Sequence, residues 1–232
     1  MREEFVNENI RTEWRAADAA GPRHVLLVHG INDNGRVFRA MVRRLSEAGL
    51  TVHVAGYAPS DGSVGLDVLA WQIARFVEQR LQAVDRFDLV AFSMGGLVVR
   101  HYLQKLGGAA RVDRLVTIST PHRGTLMAYF KRNRAGRQMR PRSAFLRELN
   151  ADLETYRHIR WATVRTPFDL AIVPGGSATS PAAHNVSIRV ALHRFMAADD
   201  RVIDAVLDFL HPAAAAPERS GMALALARRC AV

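Results

Sequence analysis

Cysteine is all but missing from this chain: Cys230 stands alone, so no disulfide can form within it. Stability must come from buried apolar surface instead. Lysine is nearly as scarce, with only Lys105 and Lys131, so the net charge of +10 is carried almost wholly by arginine. Those arginines are scattered and accompany no recognition motif, and no nucleic-acid partner is expected. No apolar run reaches the roughly 18 residues that a membrane span requires. The longest, Val112–Thr120 and Trp161–Val173, are short and interrupted by polar residues or proline. The first twenty residues lack the apolar stretch of a secretory signal, which gives a cytoplasmic expectation. No His, Cys, Asp and Glu grouping has metal-ligand spacing, so no metal is expected.

What is present is an ordinary globular composition, 49% hydrophobic and 23% charged over 232 residues, enough for one large domain. Buried strands are expected at Arg23–His29, Thr51–Ala55, Phe87–Phe92, Val112–Ser119, Ile159–Val164 and Val186–Leu192. Between them, apolar residues recur at helical period over Val37–Ala48, Leu66–Val84, Leu97–Leu106 and Asp199–Leu210. Strands alternating with helices in this way predict an α/β fold, with a mainly parallel central sheet covered by helices on both faces. Residues 1–211 are expected to form that domain, and 212–232 an alanine-rich tail that is mobile or loosely docked.

The most informative segment is AFSMGG, Ala91–Gly96, set between a predicted strand and a predicted helix. A serine on a sharp strand-to-helix turn is lifted above the sheet, provided that small residues two before and two after it let strand and helix approach. Ala91 and Gly95 fill those positions, although the usual first residue is glycine. Ser93 is therefore the candidate nucleophile. The helix start also directs free N–H groups at the site, which suits a developing anion. One such donor is the N–H of Met94.

A serine hydroxyl needs a histidine base oriented by a carboxylate. His193 follows the predicted strand Val186–Leu192 and precedes the last helix by a short loop; Asp169 lies in the loop TPFDLAIVP after the predicted strand Ile159–Val164. The order Ser93, Asp169, His193 is the one in which strand-turn-helix serine sites of this kind are built. His184 is the second candidate for the base, and Asp199 or Asp200 for the acid, although N-capping of the last helix is a sufficient role for either aspartate. His101 and His211 read as surface residues.

The segments LLVHGINDNG, AFSMGG and STPHRGT (Ser119–Thr125), with the late aspartate and histidine, resemble the α/β-hydrolase superfamily, lipase/esterase branch, over approximately residues 23–210. The resemblance implies an α/β-hydrolase fold and cleavage of carboxylic esters through an acyl-enzyme, with no cofactor. It also implies that His29 and Gly30 shape an oxyanion loop in which the N–H of Ile31 is the second donor. Phe92 departs from the histidine that often precedes the serine in this group. On the sequence, an acyl-thioesterase or acyltransferase on the same machinery stays open, as does a catalytically silent binding protein of the same fold.

Between Thr125 and Arg157 lies an insertion of mixed character, with Met127, Tyr129, Phe130 and Phe145 beside Lys131, Arg132, Arg134, Arg137, Arg140, Arg142 and Arg147. It is expected either to form a lid or cap, at about 125–157, that leans on an anionic membrane surface, or to be a solvated helical cover over the sheet. The expected partner is a small-molecule or lipid ester substrate. His122 precedes the acid in the chain and is read as structural, lining the pocket or hydrogen-bonding the backbone.

Overall fold

The computed structural model describes residues 23–210. Six strands form one sheet: β1 (His24–Val28), β2 (Thr51–Ala55), β3 (Phe87–Phe92), β4 (Val112–Ile118), β5 (Arg160–Arg165) and β6 (His184–Ser187). Their order is β2-β1-β3-β4-β5-β6, and every neighbouring pair runs parallel. Side chains alternate across the sheet, as the pleat requires. Leu26, Val28, Leu89, Ala91 and Trp161 enter one core layer, whereas Val25, Leu27, Val90, Phe92 and Val164 enter the other. Because both faces are covered, the strands read as nearly continuous apolar runs.

The principal helices are α1 (Arg39–Glu47), α2 (Leu66–Arg80), α3 (Met94–Lys105) and α6 (Asp200–Leu210). The shorter α4 (Arg134–Gln138) and α5 (Ala144–Ala151) lie in the insertion between β4 and β5. α2, α3 and α5 pack on the first layer, α1 and α6 on the second. The mainly parallel, doubly covered sheet expected from the sequence is the fold observed. Among the described residues no helix is long and apolar enough to cross a membrane. The alanine-rich tail, Cys230 and His211 lie outside the described residues.

Two expected boundaries shift for physical reasons. α3 begins at Met94 rather than Leu97, because Gly95 and Gly96 act here as close-contact residues and not as breakers. A Cβ on Gly95 would collide with the backbone carbonyls of Val28 and His29, and one on Gly96 with Thr120. The last strand occupies His184–Ser187 rather than Val186–Leu192. Its pairing ends where β5 ends: Ser187 is the partner of Arg165, the Ile188 N–H still donates to the Arg165 carbonyl, and the Val190 N–H turns to the Thr166 hydroxyl. The alternating residues after it have no strand beside them to pair with.

Parallel strands put all their C-terminal ends on one side of the sheet, and in such sheets the crevice outside those ends is where ligands bind. Here it gathers His29–Ile31 after β1, Ser93 after β3, Ser119–Thr125 after β4 and Thr166–Ile172 after β5.

Candidate active site

Ser93 sits at the junction of β3 and α3 with φ 55° and ψ −123°, a positive-φ conformation that a non-glycine residue holds at a cost of about 1–3 kcal/mol. The turn is fixed from both sides. The Ser93 N–H donates to the Ile118 carbonyl (2.8 Å), and the Ser93 carbonyl accepts from Gly96 N–H (3.1 Å). Serine before a helix ordinarily uses its hydroxyl to cap the free N–H groups. This one makes no cap; its Oγ lies 2.9 Å from Nε2 of His193.

His193 opens a short 3-10 turn (His193–Phe195) beyond β6, and its Nδ1 is 2.8 Å from Oδ2 of Asp169. The other carboxylate oxygen of Asp169 accepts the N–H groups of Ala171 and Ile172, both at 2.9 Å. Burial alone would push the Asp169 carboxyl up. The bond from His193, its charge and the Ile172 N–H outweigh that and hold it below its ordinary value. The Ser119 hydroxyl lies beside this carboxylate without a hydrogen bond of ordinary geometry, and it adds the smallest contribution.

Ser93, Asp169 and His193, a hundred residues apart at their extremes, are thus brought together in one hydrogen-bonded line. The other candidates are not. His184 is exposed at the start of β6. Asp199 takes the backbone N–H and guanidinium of Arg201, while Asp200 accepts from Arg44 on α1.

Ile31 and Met94 share a pocket wall with Ser93. Met94 holds the first position of α3, where its N–H has no intrahelical acceptor. A Cβ on Gly30 would stand 3.0 Å from Cβ of Ser93, so only glycine lets this loop come so near the serine without strain. His29 is fully buried; its carbonyl accepts from the Tyr57 hydroxyl (2.6 Å), and its ring faces Tyr57 with centroids 4.4 Å apart.

The cavity beside Ser93 has a volume of about 580 Å³. Met94, Pro121, Met127, Ala128, Phe130, Met139, Leu170, Ile172 and Leu192 make its wall mostly apolar, and Lys131 and Arg194 stand among them. The first part of the insertion therefore forms one side of the cavity. The second part is tied to α3 by Arg100, which is fully buried and donates to Tyr156 (3.1 Å), Asn150 (3.0 Å) and the Leu149 carbonyl (2.7 Å).

His122 belongs to that buried cluster. Arg100 can only donate, so the contact of its Nη1 with Nδ1 of His122 (3.4 Å) makes Nδ1 the acceptor. Nε2–H is then left to donate to Thr117 Oγ1 (2.9 Å). Burial first, then Arg100 and Arg123, push the His122 pKa well below its ordinary value, so the ring is neutral. Its role is structural, but its ring bonds other side chains rather than the backbone or the pocket expected. His101, expected at the surface, is half-buried and stacks on Phe145 with centroids 5.5 Å apart.

Sequence reasoning did not find Tyr57, Ser119 or the packing of Phe92 on His193. Tyr57 and His193 meet their partners only through tertiary contact. Ser119 opens the STPHRGT segment, but its neighbour Asp169 comes from another strand end.

Residues 23–167 match a family described as alpha/beta hydrolase fold. The chain belongs to that α/β-hydrolase family. Solved structures agree at the level of fold. The mature form of a Bacillus licheniformis lipase, BlEst2, superposes with a TM-score of 0.66 at 17% identity, covering 83% of this chain and 93% of that one. For Aspergillus fumigatus lipase B the TM-score is 0.68 at 18% identity, over 82% of this chain and 53% of that one. The enol-lactonase of Burkholderia xenovorans gives 0.61 at 15%, over 82% and 92%. No curated protein matches this α/β hydrolase in sequence.

Proposed function

We propose that this α/β hydrolase cleaves carboxylic esters with an apolar acyl group, with Ser93 as nucleophile, His193 as base and Asp169 as the group that orients it. The observation that carries this is the continuous contact from Asp169 Oδ2 through both nitrogens of His193 to Ser93 Oγ, at 2.8 and 2.9 Å, on the wall of a mostly apolar cavity. His193 takes the Ser93 proton as Oγ attacks the ester carbonyl, and the N–H groups of Ile31 and Met94 receive the charge that builds on oxygen. The same imidazole, now protonated, gives its proton to the departing alcohol. Water, deprotonated in turn by His193, releases the acid from the acyl-enzyme.

The cavity suits this reading because a largely apolar wall binds an acyl chain by burial, leaving few polar groups to fix the reacting end. The test is hydrolysis of p-nitrophenyl esters from acetate to palmitate by the unaltered chain and by Ser93→Ala. Turnover that is lost by about 10⁴-fold or more in Ser93→Ala supports the assignment. Full esterase activity in Ser93→Ala would overturn it, and failure of a fluorophosphonate to label Ser93 would favour a silent binding protein.

A further inference from the structure

The exposed large apolar side chains of the described residues, apart from Val68 and Trp71 on α2, all lie in three short segments: 126–130, 168–170 and 192–195. Each of those segments supplies residues to the wall of the cavity. They are also stitched together: Leu126 N–H donates to the Val173 carbonyl (2.8 Å), Thr125 Oγ1 donates to the Ala171 carbonyl (2.9 Å), and His193 meets Asp169 (2.8 Å). Phe130 and Leu170, 83% and 73% exposed, lie on the cavity wall, and Leu126, Tyr129, Phe168 and Phe195 are exposed beside them in the same segments. A soluble protein rarely gathers its exposed apolar side chains in one place without something to cover them.

The insertion brings charge of one sign to its side of this mouth. From Arg123 to Arg147 the chain carries arginine and lysine but no acid. Two cations lie directly on the rings of this face: the Arg140 guanidinium is 5.1 Å from the Tyr129 centroid, and that of Arg194 is 4.7 Å from Phe195. Lys131 and Arg194 reach the cavity itself. Aromatic and aliphatic tips interleaved with cations are what an interface of anionic headgroups over acyl chains would accept.

We propose that the mouth of the cavity docks on anionic phospholipid bilayers, with Phe130 and Leu170 entering the acyl boundary and Lys131, Arg132, Arg137 and Arg194 meeting headgroup phosphates. The proposal rests on the ester-hydrolase reading only for the step after docking, namely delivery of a lipid ester to Ser93. A second copy of the chain is a poorer occupant, because it would set these cations against their own kind. Nucleic acid would leave the exposed apolar side chains uncovered.

The experiment is sedimentation of the full chain, as Ser93→Ala so that no lipid is consumed, with vesicles of phosphatidylcholine alone or with 30% phosphatidylglycerol. Binding at least tenfold tighter to the anionic vesicles, weakened by salt, is expected. Arg132→Glu with Arg137→Glu should lower it by tenfold or more, and Tyr129→Ser with Phe168→Ser should lower it on both vesicle types. Each pair should keep the melting temperature and, with Ser93 restored, turnover of a soluble ester. Equal binding to the two vesicle types, or no binding, overturns the proposal, as does a stable dimer that the Tyr129 and Phe168 changes dissolve. A chain that hydrolyses soluble esters yet ignores vesicles fails this proposal alone. One that binds anionic vesicles but turns over no ester fails the catalytic reading alone.

Discussion

The ring of Phe92 lies against the imidazole of His193, with centroids 5.0 Å apart and planes inclined by 34°. The residue just before Ser93 therefore braces His193, the proposed base, across a hundred residues of chain. Phe92→Leu keeps apolar volume but removes the flat face. Its melting temperature should stay within a few degrees, while turnover of a short ester falls about tenfold, more in kcat than in KM. An unchanged kcat would show that the Asp169 hydrogen bond positions His193 unaided.

Asp169→Asn should preserve the fold and lower kcat by about 10³–10⁴-fold, because an amide cannot hold the imidazole in the right tautomer or stabilise its charged form. The Asp169 carboxyl is held below its ordinary value, so its share of stability is present above the usual carboxylate range and is lost as pH falls through the depressed value. Acid unfolding of Asp169→Asn should accordingly be less steep than that of the unaltered chain. Parallel acid unfolding curves would contradict this.

His122 gives the opposite kind of group, a base kept neutral by burial and by the neighbouring arginines. Below its ordinary value of 6.5 the unfolded chain takes up a proton here that the folded chain refuses, so stability drops as pH falls from 6.5, by up to ~1.4 kcal/mol per pH unit. Thermal unfolding between pH 7 and 5 should show a shallower decline for His122→Gln. A decline as steep as in the unaltered chain would show that His122 is protonated within the fold.

Tyr57→Phe removes the hydroxyl that holds the His29 carbonyl at 2.6 Å. The buried carbonyl is left without that donor, at a cost of about 1–3 kcal/mol. Because Gly30 and Ile31 come directly after it, kcat should also fall several-fold while KM moves little. Stability loss with kcat intact would confine Tyr57 to a packing role.

Gly95→Ala places a methyl group against the carbonyls of Val28 and His29, which are backbone and cannot rotate away. Overpacking of this kind costs about 1–3 kcal/mol, or ~2–12 °C in melting temperature for a domain of this size. Ser93-dependent turnover should fall with it. Ala91, by contrast, sits buried within β3 with its Cβ already accommodated.

Much of the fold was legible in the residues, and the reasons differ from place to place. β2 and β3 could be bounded from sequence because Thr51–Ala55 and Phe87–Phe92 are β-rich runs cut off sharply by Gly56 and by the elbow. Ser93 was legible because the turn it occupies demands small flanking residues nearby in the chain. The meeting of His193 and Asp169 was legible only as an order along the chain, since nothing local marks either as a partner of Ser93. The end of the last strand was not, because it depends on where β5 stops. The buried role of His122 was not, because Arg100 and Asn150 meet it only when α3 and the insertion fold together.

Parallel topology has one more consequence, for the newborn chain. Ser93 is synthesised a hundred residues before His193, since the proposed base comes after the last strand of the sheet. A ribosome-bound chain that has emerged only through β5 would carry Ser93 with no His193 to deprotonate it. The chemistry therefore waits for the final strand and its turn. Chain order alone thus withholds His193 from Ser93 until every strand of the sheet has been made.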